Sequence, residues 1–109
     1  MSLKLVEKTA QLTPDLPVAV GEVLVDDDKT RITQFVLQPG EQVGWHRHEY
    51  DYVTIQQSYG TLHIDASDGR SFDIAYQPGK AVSVKAPFEH NAINTGDVEI
   101  RVLEVEYKR

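Results

Sequence analysis

Apolar and polar residues alternate along most of this chain, as in Arg31-Ile32-Thr33-Gln34-Phe35-Val36-Leu37 and Val98-Glu99-Ile100-Arg101-Val102. A period of two sends successive side chains to opposite faces of an extended strand, so each run can bury only one face, against another sheet. Turn-forming clusters separate the runs: Asp26-Asp27-Asp28-Lys29, Pro39-Gly40, Ser58-Tyr59-Gly60, Ser67-Asp68-Gly69, Gln77-Pro78-Gly79 and Asn94-Thr95-Gly96-Asp97. The pattern predicts strands at 18–25, 30–37, 43–48, 51–57, 61–66, 71–76, 81–86, 90–93 and 98–107, with one more over 1–8. Many short strands at this spacing read as an all-β sandwich or barrel. An antiparallel double sheet or closed barrel leaves little unpaired edge. No internal repeat, Walker loop or dinucleotide-binding glycine fingerprint interrupts the pattern.

With 109 residues the chain has enough material for one complete core, so a single domain over 1–109 is expected. Seventeen acidic residues against eleven basic ones give a net charge of −6, which opposes the phosphate neutralisation behind nucleic-acid binding. No nucleic-acid partner is expected. The absence of cysteine removes disulfides, thiol nucleophiles and thiolate metal sites together. No apolar run approaches the roughly 18 to 20 residues that span a bilayer, and the first residues lack the apolar core of a signal peptide. No membrane partner is expected, and the cytoplasm is the expected compartment.

The four histidines are His46, His48, His63 and His90. On a regular strand His46 and His48 project from one face and Arg47 from the other. Two imidazoles so placed can chelate one ion and need a third ligand from a neighbouring strand. His90, which opens a strand after Pro87, is the natural third ligand. An isolated His-x-His is also compatible with a polar strand surface.

The segment Pro39-Gly40-Glu41-Gln42-Val43-Gly44-Trp45-His46-Arg47-His48 resembles the first signature of the cupin family, with Gly40 at the spacing of its glycine. Gly79, His90 and Asn94, with Asn94-Thr95-Gly96-Asp97 following, are similar to the second. The resemblance covers about 32–107, preceded by an N-terminal strand or arm at 1–17. The runs Gly44–Val53 and Glu89–Asn94 resemble the small single-domain cupins of the β-alanine degradation type. The resemblance implies a cupin double-stranded β-helix, a jelly-roll barrel, in which His46, His48 and His90 converge on one divalent transition metal ion: Fe, Ni, Mn or Zn. It also implies a homodimer, since small cupins pack or exchange edge strands.

The sequence departs from the family pattern at three points. Tyr52 stands where most metal-binding cupins carry a glutamate ligand. Lys85 stands where the second signature has a proline, with Pro87 two residues later. Tyr59 stands where a glycine is expected, with Gly60 one place late. With tyrosine at 52, three neutral imidazoles leave a dication uncompensated, so an anionic ligand is expected. Three readings remain for Tyr52: a fourth ligand, a hydrogen-bond donor behind the ligands, or a cavity wall. Alternation sends Glu49 away from His46 and His48, and Glu89 has the same parity problem. His63 is expected to face solvent, and Arg47 to point away from the metal. Tyr50, Thr54 and Gln56 share the parity of Tyr52, while Val53 and Ile55 face a second sheet or a partner subunit.

Three functional classes follow. The first is a mononuclear metalloenzyme, dioxygenase-like by analogy, acting on a small anionic metabolite with Tyr52 as a catalytic group. The second is a non-catalytic small-acid-binding module. The third is a metal-free isomerase or epimerase using His90 or His48 as base and Tyr52 as acid.

Overall fold

The computed structural model describes residues 15–108, so the strand expected over 1–8 and most of the 1–17 arm lie outside the described residues. The strands are β1 Val20–Asp26, β2 Thr30–Leu37, β3 His46–His48, β4 Tyr52–Gln56, β5 Gly60–Ala66, β6 Ser71–Tyr76, β7 Ala81–Val84, β8 Phe88–Asn94 and β9 Ile100–Tyr107. They form a five-stranded sheet in the order β1-β2-β9-β4-β7 and a four-stranded sheet in the order β3-β8-β5-β6. From β2 onward the chain passes repeatedly from one sheet to the other, with all paired strands antiparallel. This is the antiparallel double sheet expected from the alternation, and the jelly roll that the cupin resemblance implies.

The core confirms which parity faces inward. Leu37, Ile100 and Val102 of the larger sheet pack with Leu62, Ile64, Tyr76 and Ala92 of the smaller one. Each fully buried aliphatic side chain among them contributes roughly 1.5 to 3 kcal/mol relative to exposure.

Strand boundaries near the histidines differ from expectation. The third strand begins at His46 rather than residue 43, because Gly44 takes a φ of 100°, which breaks the extended backbone ahead of the histidines. The seventh strand stops at Val84 rather than residue 86, and the eighth begins at Phe88, before His90. Gly60 is also constrained. It has a φ of 136°, and a Cβ there would overlap Ile100 Cδ1.

Asn94, fully buried, joins the two sheets. Its amide donates to the carbonyls of Leu37 at 2.9 Å and Val98 at 2.8 Å, and its Oδ1 accepts from the Gly96 N–H at 3.0 Å. Asn94→Ala strips these backbone groups of a partner and is expected to lower unfolding free energy by about 2 to 3 kcal/mol. Denaturant titration checks this; a loss below about 0.5 kcal/mol would refute the clamp.

Candidate metal centre

Strand β3 is only three residues long, but its register against β8 sets the site. His46 lies directly across from His90, and His48 across from Phe88. Ligand atoms of His46, His48 and His90 all lie within 4.8 Å of one another. The ring centroids of His46 stand 4.6 Å from those of both His48 and His90. The third imidazole expected from an adjacent antiparallel strand is therefore present.

The His46 and His48 rings are held from behind. The Nδ1–H of His46 donates to the Gly44 carbonyl at 2.7 Å, which leaves the Nε2 lone pair facing the cluster. The Gly44 N–H donates to Asn91 Oδ1 at 2.8 Å, and Asn91 Nδ2 donates to Gln42 Oε1 at 2.8 Å. Gln42 in turn donates to the Leu16 carbonyl at 3.0 Å. His48 presents Nδ1 to Glu106 Oε2 at 3.6 Å, and the other oxygen of Glu106 accepts from Arg31 Nε at 2.8 Å. Tyr52 stacks on His48, with centroids 4.0 Å apart, and its hydroxyl lies 3.5 Å from His90 Nε2.

The donor set fits an ion. His46 Nε2 and His48 Nε2 are 2.9 Å apart, and two lone pairs at that distance repel unless a proton or a cation lies between them. Two ligands about 2.1 Å from one ion and at right angles to it stand about 3.0 Å apart. Among the described residues, His90 Nδ1 is buried without a hydrogen-bond partner. Burial holds all three histidines below their usual range. His48 falls to about 3, with His46 adding to the effect; His90 is lowered well below 6.5, with His46 and His48 both contributing after burial. All three are thus neutral at neutral pH, as ligation of a cation requires. Burial raises the Tyr52 hydroxyl, so it acts as a neutral donor here.

The cluster adjoins a cavity of about 350 Å³ through His90, Tyr52 and Glu104. Thr54 and Gln56 line it as expected, whereas Tyr50, which precedes the regular strand, does not. The remaining wall is mostly apolar, with Leu37, Leu62, Ile64, Phe72, Val84 and Phe88 among it and the cations Arg70 and Lys85. Sequence reasoning missed Glu104 and Glu106. Glu104 Oε2 lies 3.9 Å from His48 Nε2, and burial, then Glu106, pushes its carboxyl up to about 8. The signal was available: both glutamates share the inward parity of Val102 on β9.

The other polar residues lie elsewhere. Arg47 and Glu49 are exposed and paired at 3.0 Å. Glu89 is buried across from Arg47, opposite in parity to His90. Trp45 is buried, and its Nε1 has no hydrogen-bond partner among the described residues. His63 sits on the outer face of β5, with Nδ1 2.7 Å from Asp73 and Nε2 3.0 Å from Asp65. Asp73 chiefly, then Asp65, raises its pKa above 6.5. A raised pKa contributes stability below the unfolded value that is lost as pH rises through the folded one; exposure keeps the contribution small. In metal-free protein, NMR titration should find His63 protonated at pH 6.5 with the other three neutral. A His63 midpoint below 6.5 would contradict this.

The cupin domain family model matches residues 33–106, and the chain belongs to the cupin family. The beta-alanine degradation protein BauB of Pseudomonas aeruginosa is 36% identical over 92 residues, covering 84% of this chain and 96% of that protein. A cupin domain of Bordetella pertussis Tohama I superposes with a TM-score of 0.82 at 31% identity, covering 88% of this chain and 99% of that one. The polyketide cyclase RemF of Streptomyces resistomycificus shares the fold, with a TM-score of 0.65 at 21% identity over 88% of this chain and 71% of its own. Among the described residues, no helix is long and apolar enough to cross a membrane.

Proposed function

We propose that this cupin is a mononuclear metalloenzyme in which His46, His48 and His90 hold one divalent ion (Fe, Ni, Mn or Zn) and a small acidic metabolite is converted in the adjoining cavity. The observation that carries this reading is three buried, neutral imidazoles with ligand atoms within 4.8 Å, two of them 2.9 Å apart. An iron ion there supplies dioxygen activation, and a zinc ion the polarisation of a water. The chain's own groups do the rest. The Gly44 carbonyl and Glu106 orient the rings of His46 and His48. The apolar wall excludes water and accepts the body of the metabolite, and the Tyr52 hydroxyl donates a hydrogen bond at the His90 side. The name of the Pseudomonas relative supports a small amino-acid-derived acid as the substrate class. The metal-free reading is less well supported, because Tyr52 and His90 face each other at 3.5 Å rather than flanking a common substrate position.

Elemental analysis of untagged protein, before and after anaerobic reconstitution, tests the proposal. Near-stoichiometric metal is expected. Tyr52→Phe should keep most of that metal and lower turnover by about 100-fold or more, the range of a lost proton donor. Absence of metal in both preparations would overturn the metal reading. Tight uptake of a small acid without conversion would leave a binding module instead.

We further propose a cytoplasmic homodimer. On the face of the larger sheet turned away from the cavity, Ile32, Val53, Ile55, Leu103 and Val105 form cross-strand neighbours. At the β1 edge, Val20 is 70% and Val25 39% exposed. Light scattering behind size exclusion should give twice the chain mass, and a monomer at micromolar concentration would refute it.

A further inference from the structure

We infer that Glu104 supplies, from β9, the carboxylate that this metal site lacks at Tyr52. The inference rests on the metal-binding reading above. Three neutral imidazoles carry no charge to balance a dication, and the side chain four residues beyond His48 is a phenol. Strands β4 and β9 are adjacent, with Tyr52 across from Glu106 and Thr54 across from Glu104. The even-numbered residues of both strands face the interior, so two carboxylates enter beside the ring of Tyr52. That ring lies against His48 and fills the space that a carboxylate on β4 would occupy.

The two glutamates differ in what holds them. Glu106 is bound to Arg31 at 2.8 Å and stands at Nδ1, the outer side of the His48 ring. Its charge is already matched. Glu104 Oε2 stands 3.9 Å from Nε2, the nitrogen that also faces His46, and its side chain is 13% exposed. Among the described residues it makes no hydrogen bond and no ion pair with lysine or arginine. Burying a carboxyl in a mostly apolar chamber without a partner is unfavourable, and a cation beside it removes that penalty. Glu104 also lines the cavity with Tyr52 and His90, so it borders both the ion and the ligand chamber. One carboxylate beside a dication leaves a single positive charge, which selects a ligand with one acidic group. Glu104 is then the site's balancing anion and the acceptor for a hydroxyl hydrogen of a ligand or water in the cavity.

The test uses cobalt(II) as the probe on untagged, chelator-stripped protein, read by calorimetry and by visible absorption. Wild type should bind one equivalent, and His48→Ala none. Glu104→Gln should weaken cobalt binding by about 10- to 100-fold and alter the visible spectrum. The melting temperature of the metal-free variant should be unchanged or higher, since an unpaired buried carboxyl has been removed. Glu104→Met, similar in volume and unable to carry charge, should weaken cobalt binding at least as much. Wild-type affinity and spectrum in both Glu104 variants would overturn the role of Glu104 while leaving the metal site standing. No binding by wild type would overturn both. If both variants lose the fold without metal, Glu104 is a structural residue and the inference falls.

Discussion

Metal removal should lower the melting temperature of this protein by roughly 15 to 30 °C. A ligand that binds only the folded state at about 1,000 times its dissociation constant stabilises by about 4 kcal/mol. In a domain near this size each kcal/mol moves the midpoint by roughly 4 to 8 °C. His46 and His48 come from one short strand and His90 from its neighbour, so unfolding separates them and would destroy the proposed chelate. His48→Ala should abolish the shift, because it removes the nitrogen 2.9 Å from His46 Nε2. Scanning calorimetry of both proteins, with a transition metal and with chelator, makes the comparison. An equal metal-dependent shift in wild type and His48→Ala would place the ion somewhere else.

The second large effect is on pH dependence of the metal-free protein. His46, His48 and His90 are lowered from 6.5 by burial, His48 to about 3. Below pH 6.5 the unfolded chain therefore takes up protons that the folded chain refuses, and stability falls with pH. Each histidine contributes a slope of about 1.4 kcal/mol per pH unit until its folded pKa is reached. Glu104 acts in the opposite sense. Raised from 4.5 to about 8, it keeps its proton in the folded state while the unfolded chain loses it. Its contribution is present below pH 4.5 and is lost as pH climbs to about 8. Between pH 4.5 and 6.5 the three histidines outweigh the one glutamate, and above 6.5 the glutamate dominates, with a small contribution of the same sign from His63. Stability without metal should therefore peak near pH 6.5, with the acid limb the steeper of the two. Denaturant midpoints measured from pH 4 to 8.5 check the shape. A midpoint that stays level from pH 6.5 to 4.5 would contradict the buried neutral cluster, and Glu104→Gln should flatten the alkaline limb.

Much of this was legible in the sequence because its periods are local. The alternation in Arg31–Leu37 and Val98–Val102 located strands within two residues or so, since side-chain direction depends only on neighbouring backbone. Gly44 was less legible. Its positive φ both shortens the third strand and turns its carbonyl onto His46 Nδ1, and a glycine letter does not announce that geometry. Asn94 was recognisable as part of a signature, whereas its role as a clamp on Leu37 and Val98 depends on where those carbonyls arrive.

The site divides in the same way. That His46 and His48 share a face, with Arg47 on the other, followed from the two-residue period alone. So did the inward parity of Tyr52, Thr54 and Gln56, and with it the polar part of the cavity wall. Strand pairing decided the remainder: His90 stands opposite His46 only because β8 pairs with β3 in that register, forty-four residues apart in sequence. The register of β9 against β4 and β2 brings Glu104 and Glu106 beside His48, and Arg31 onto Glu106. Glu49 and Glu89 are the carboxylates nearest the histidines in sequence, yet strand parity turns both away from them. Backbone geometry fixes where each side chain points along one strand, but which strands meet, and at what offset, is set by burying all their inner faces together. The chain's own letters determined which histidines share a face, and the packed barrel determined their company.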